Sequence, residues 1–161
     1  MFWIACRKAA HENTSFLGRA IARKTRSIYS HSEIVFQDGT AVIAEASILY
    51  KGVRIDKHNF DNEEFDYYEI ICDDFDYEKA YEWLFSVVGE RYDWLAVLMG
   101  IIKWPHYKWH IEDYYHCGGM VCKFLKAGKL DLFPYRNDFI VSPGMIANDF
   151  RTKRVKIREG I

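Results

Sequence analysis

Several absences bound what this chain can be. Four cysteines in 161 residues are too few to staple a small disulfide scaffold. No Pro/Gly/Ser linker and no internal repeat interrupts the sequence, so one domain covering residues 1–161 is expected. The longest apolar run, Trp94 to Ile102, falls far short of the ~20 residues that span a bilayer. No basic segment precedes the apolar residues of Met1-Phe2-Trp3-Ile4-Ala5-Cys6, which argues against a signal peptide. A soluble protein of a reducing cytoplasm is the expectation, with Cys6 and Cys72 as buried free thiols in strand-like runs.

Net charge is also nearly absent, at −1, yet the charges are unevenly distributed. Residues 1–30 carry Arg7, Lys8, Arg19, Arg23, Lys24 and Arg26 against Glu12 alone, and the tail repeats the bias from Arg151 to Arg158. The acids concentrate from Asp61 to Asp76. Basic ends of this kind either meet an anionic ligand or pair with the acidic middle. No recognition motif accompanies them, so nucleic acid is not expected as a partner.

What is present is a change of period. Phe2 to Lys8, His31 to Phe36, Thr40 to Ser47, Gly52 to Asp56 and Asp66 to Cys72 read as strands, and Asp38-Gly39 signals a hairpin. Thr14 or Ser15 caps a short helix through Lys24, with Phe16, Leu17, Ala20 and Ile21 on one face. From Asp76 to Gly89 the spacing turns helical; a second helix carries Trp94, Val97, Leu98 and Ile101 and stops near Pro105. A third runs from Cys117, with Met120, Val121, Phe124 and Leu125 on one stripe and Gly128 as C-cap. Strands early and helices late predict an α+β fold, an antiparallel sheet packed with helices.

The chemistry centres on Cys117. A cysteine opening a helix feels the positive end of the helix dipole, which favours thiolate. An imidazole from a neighbouring strand, His31, would serve as its base. If Gln37-Asp38-Gly39 is a three-residue loop, His31 faces Glu45 across the hairpin, and that carboxylate would orient the imidazole. If the loop is only Asp38-Gly39, the register slips by one and Glu33, two residues along the same strand, becomes the orienting group. Glu45 is the favoured of the two. Cys122 lies more than a turn into the helix, beyond most of the dipole's reach. His106, His110, His116, Cys117 and Cys122 lack the spacing of a zinc site, so no metal and no cofactor are expected. The aromatic stretch around Trp104, Tyr107, Trp109, Tyr114 and Tyr115 either walls a substrate cleft or covers the core.

The ordered set of segments resembles the circularly permuted branch of the NlpC/P60 papain-like superfamily, in particular its YiiX/YaeF-like amidase group, with lecithin:retinol acyltransferase as a more distant likeness. The matching pieces are Tyr29-Ser30-His31-Ser32-Glu33-Ile34-Val35-Phe36, Ile43-Ala44-Glu45-Ala46, Gly52-Val53, Gly89-Glu90-Arg91-Tyr92-Asp93-Trp94, His116-Cys117-Gly118-Gly119-Met120-Val121 and Ser142-Pro143-Gly144-Met145. The resemblance implies a permuted papain-like fold. It also implies a cysteine amidase or peptidase in which Cys117 attacks, His31 is the base and Glu45 stands near the third polar position. Tyr92, Gly118 and Glu33 would lie at the substrate, a peptide or acyl amide. A lipid-directed acyl hydrolase or transferase is the alternative, and a phage or bacterial origin suits the likeness. One departure is notable: the family commonly has Ser-Glu after the cysteine, where this chain has Gly118-Gly119. Two glycines there cost about 1 kcal/mol each in helix propensity. They either open backbone donors to a substrate oxygen or mark an inert binding module.

Overall fold

The computed structural model describes residues 1–12, 14–46, 51–93, 97, 114–135 and 141–157. The elements run β1 (Phe2–Lys8), α1 (Phe16–Thr25), β2 (Tyr29–Phe36), β3 (Thr40–Ala46), β4 (Lys51–Lys57) and β5 (Phe65–Ile70). They continue with α2 (Tyr77–Ser86), β6 (Arg91–Tyr92), β7 (Tyr114–Tyr115), α3 (Cys117–Ala127), α4 (Pro143–Ala147) and β8 (Thr152–Val155). The strands form one curled sheet of order β7-β6-β4-β3-β2-β1-β5-β8, packed with helices. The α+β expectation therefore stands, with one correction: β6 and β7 pair in parallel, so the sheet is mixed. These two-residue strands, and β8, are too short to leave a period-2 signal.

Strand β1, central between β2 and β5, is apolar on both faces because a core covers each face of the sheet there. Phe2, Ile4 and Cys6 enter a core with Ile34, Val42, Leu84, Phe124 and Leu125. Trp3 and Ala5 enter a second, smaller core with Val35, Ala41, Phe65, Tyr67 and Ile157 on the other face. Cys6 is buried as expected, but β5 ends at Ile70 and leaves Cys72 only half-buried. The basic ends fold onto the acidic middle. Arg7 Nε lies 2.8 Å from Glu64, Lys8 Nζ lies 3.2 Å from Asp66, and Arg154 pairs with the same buried Asp66. The helix expected from Trp94 to Pro105, apart from the helical Val97, and the aromatic residues Trp104, Tyr107 and Trp109 lie outside the described residues.

The β2–β3 hairpin closes on a three-residue loop. Gly39 takes φ +80°, where a side chain would strain the backbone, and its N–H donates to Phe36 O at 3.0 Å. Ile34 then pairs with Val42 and Val35 with Ala41, the register that aligns His31 with Glu45. Beyond Ile34–Val42 the ladder stops, although both strands continue. Each strand follows its other neighbour instead: β2 stays on β1 through Tyr29, and β3 stays on β4 through Ala46. The sheet opens between them, and the helix-opening Cys117 meets the strand residue His31 at this opening.

Candidate active site

Two backbone features aim His31. The β1–β2 register shifts between Arg7↔His31 and Lys8↔Tyr29, so Ser30 is an extra residue next to His31. Such irregularities bend a strand and redirect its side chains. On the opposite side, α3 begins at Cys117 with His116 as its N-cap. His116 Nδ1 accepts the Gly119 N–H at 3.3 Å, and His116 O accepts the Met120 N–H at 2.9 Å. Among the described residues, this leaves the Cys117 and Gly118 amides as the open donors of the first turn.

Cys117 and His31 line one cleft together with Tyr92, Glu45, Leu17 and Ile21. The sulfur is buried, which on its own would raise its pKa, but the neighbouring His116 and His31 imidazoles outweigh burial and hold the thiol well below its ordinary value. Burial likewise works against charge on His31. The Cys117 thiolate and the Glu33 carboxylate overcome it and raise the imidazole to about 9. A thiolate–imidazolium pair is the state these surroundings favour.

The carboxylate beside His31 is Glu33. Its Oε2 faces His31 Nε2 at 3.4 Å. Glu33 is 1% exposed. Burial would raise its pKa, but the neighbouring His31 imidazole and the hydrogen bond to His58 prevail and hold it at about 2. Glu45, favoured from the hairpin register, keeps the expected alignment and lines the cleft, yet its carboxylate bonds to Arg54 Nη1 at 2.8 Å. The split of the sheet explains the difference. Glu45 travels with β3 and β4, whereas Glu33 shares a strand with His31 and stays in step with it.

Other expected residues fall as follows. Tyr92 lies in the cleft wall and is buried. Gly118 has a packing reason: a Cβ there would lie 2.2 Å from Val141 O, so only glycine lets the chain before α4 reach the start of α3. Cys122 belongs to the apolar core. Tyr115 is buried against Trp83, and Tyr114 accepts a hydrogen bond from Arg91 at 3.1 Å, so both serve β7 rather than a loop. His106 and His110 lie outside the described residues. His11, Asp61 and Glu64 bring potential metal-ligating atoms within 4.8 Å of one another. Their donors are already engaged, since Glu64 holds Arg7 and Asp61 Oδ1 accepts the Glu63 N–H at 2.7 Å.

Sequence reasoning missed two histidines. His116 carried a signal, because the residue before a helix-opening cysteine is the N-cap position. His58, which bonds Glu33 Oε1 from the far side, sits in a polar stretch after β4 with no local pattern to mark it.

No family model matches this chain, and no curated protein is significantly similar to it. The case for function therefore rests on the site itself.

Proposed function

We propose that this protein is a cysteine hydrolase, an amidase or peptidase, with Cys117 as nucleophile, His31 as base and Glu33 as the group that orients the imidazole. The observation that carries this reading is the series Cys117–His31–Glu33 where the start of α3 meets β2, with Cys117 and His31 lining one cleft, Glu33 3.4 Å from His31, and each member shifting its neighbour toward the charged form that catalysis needs. The arrangement resembles a permuted papain-like site, with histidine early and cysteine late in the chain.

The reaction follows from these groups. The Cys117 thiolate attacks the carbonyl carbon, a C–S bond forms, and the oxygen takes the negative charge beside the open Cys117 amide at the positive helix end. His31 imidazolium passes its proton to the leaving amine as the C–N bond breaks, leaving a thioester. Water then attacks the thioester with His31 taking its proton, and the C–S bond breaks to release the acid and restore the pair. Glu33 stays ionised throughout and steadies the imidazolium.

The inert reading rested on Gly118-Gly119 and loses its motive at Gly118, which packing requires. The lipid-directed reading is favoured by one feature. Helix α1, which walls the cleft through Leu17 and Ile21, has no acid in its first turn, exposes Phe16 at its start and presents Arg19 and Arg23 to solvent. A basic helix with an apolar tip suits an anionic lipid surface.

Iodoacetamide alkylation across pH tests the chemistry. Cys117 should react below the pH range of an ordinary thiol, and His31→Ala should slow it at neutral pH by about 10²-fold or more. An ordinary thiol profile unaffected by His31→Ala would overturn the proposal. Hydrolysis of peptide amides against long-chain esters, with and without anionic vesicles, separates the two substrate classes.

A further inference from the structure

The carboxylate of Glu33 is shared by two imidazoles. Its Oε2 faces His31, and its Oε1 lies 2.5 Å from Nδ1 of His58. His58 has a side chain only 3% exposed and is surrounded edge-on by Phe60, Phe65 and Tyr67. Its second nitrogen, Nε2, lies 2.9 Å from the Tyr67 hydroxyl, and the Tyr67 oxygen accepts the Asp61 N–H at 3.0 Å.

The hydrogen bonds around His58 favour one proton arrangement, while Glu33 Oε2 makes the 3.4 Å ion-pair contact with His31. With the Asp61 amide occupying a lone pair of the Tyr67 oxygen, the hydroxyl proton has two acceptors, Asp61 O at 3.5 Å and Nε2 of His58 at 2.9 Å, and the shorter contact directs it to His58. The imidazole then carries a proton on Nδ1 and donates it to Glu33 Oε1. Oε2 is left for His31. Without a donor at Oε1, this buried carboxylate would lose its hydrogen bond to His58 and have every reason to turn or take up a proton.

We propose that His58 is a positioning residue that, with its tautomer set by Tyr67, holds Glu33 ionised and turned toward His31. This rests on the reading of Cys117 and His31 as the reacting pair. His58 touches neither the sulfur nor the substrate and acts only through Glu33. Its place between β4 and β5 ties the site to the smaller core, on the face of the sheet away from the helices. The second cavity of the region, about 170 Å³ and lined by His31, Glu33, His58 and Arg54, opens onto this relay.

The test compares the pH profile of Cys117 alkylation in the full chain for His58→Phe, His58→Asn and the native protein. Phenylalanine fills the aromatic surroundings and removes the donor, whereas asparagine keeps a donor near Nδ1. H58F should narrow the pH window of the thiolate–imidazolium pair from both ends and slow alkylation at neutral pH about tenfold, with H58N within about threefold of native. In a Glu33→Gln background, H58F should add nothing, because its effect passes through Glu33. A native profile in H58F, equal loss in H58F and H58N, or full additivity with E33Q would each overturn the proposal. Should H58F fail to fold, Tyr67→Phe replaces it; removing that hydroxyl frees the tautomer and should narrow the same window, and an unchanged window would overturn the proposal. If the native protein itself shows an ordinary thiol profile, the hydrolase reading fails, which is a different result from a low-pKa thiol indifferent to His58.

Discussion

The two helices that wall the cleft are held in opposite ways. Helix α3, which carries Cys117, buries eight of its residues from Cys117 to Leu125. Helix α1, on the other side, buries only Ala22. The nucleophile is thus set in the core, and the opposite wall rests on it. A site built this way fixes its reacting atoms tightly and leaves substrate selection to a surface that can change at little cost in stability.

The largest expected effect tests that contrast directly. Phe124 is fully buried in α3 with its ring 4.8 Å from that of Phe2. Phe124→Ala should cost about 3–5 kcal/mol in denaturant unfolding, against about 1 kcal/mol or less for Leu17→Ala in α1. Equal losses would break the comparison.

Next come the two carboxylates, one in step with His31 and one on the neighbouring strand. Glu33→Gln should slow neutral-pH alkylation of Cys117 by about 10²-fold. Glu45→Gln, which loses a half-exposed pair with Arg54, should stay within about threefold. Similar effects for both would return the orienting role to Glu45.

Glycine replacements sharpen the helix contrast at smaller scale. Gly118→Ala drives a Cβ against the Val141 carbonyl at 2.2 Å and should destabilise by about 1–3 kcal/mol. Gly18→Ala in α1 meets only side-chain atoms, the nearest being Thr14 Cγ2 at 3.0 Å, and gains up to about 1 kcal/mol in helix propensity. Thermal melts should therefore place G118A well below native and G18A close to it.

A last contrast lies in pH dependence. Glu33 is lowered from 4.5 to about 2, so its contribution is whole above pH 4.5 and drains away as pH falls toward 2. His31 is raised from 6.5 to about 9, so its contribution is whole below pH 6.5 and is lost as pH climbs toward 9. Melting temperature should fall off through both windows, and E33Q should flatten each. An E33Q curve parallel to native would contradict the pairing.

Much of this site was legible in the sequence because its key signals are local. Ser15 and Asp76 are the N-caps that the pattern indicates, and Asp38-Gly39 marks the hairpin, with the three-residue loop the one that forms. Cys117 and His31 were singled out from a helix start and a strand start, and the fold brings them together. The choice between Glu45 and Glu33 was not legible. It depends on whether β2 and β3 stay paired, and that is decided by the pull of β1 and β4, which no window around His31 contains. His58 escaped for the same reason, since its place beside Glu33 is set by β5 and the aromatic residues around it. Gly118 was noticed for its chemistry, but its main constraint comes from Val141, more than twenty residues away.

The spacing of His31 and Glu33 within one strand has a consequence for how activity is lost. Their relative placement is set by two residues of extended backbone, whereas the sulfur reaches them only through the docking of a helix from far along the chain. Loosening the fold with low denaturant should therefore uncouple the thiol first, silencing the protein while base and carboxylate still sit side by side. Function would then be a finer gauge of native packing here than any spectroscopic measure of the sheet.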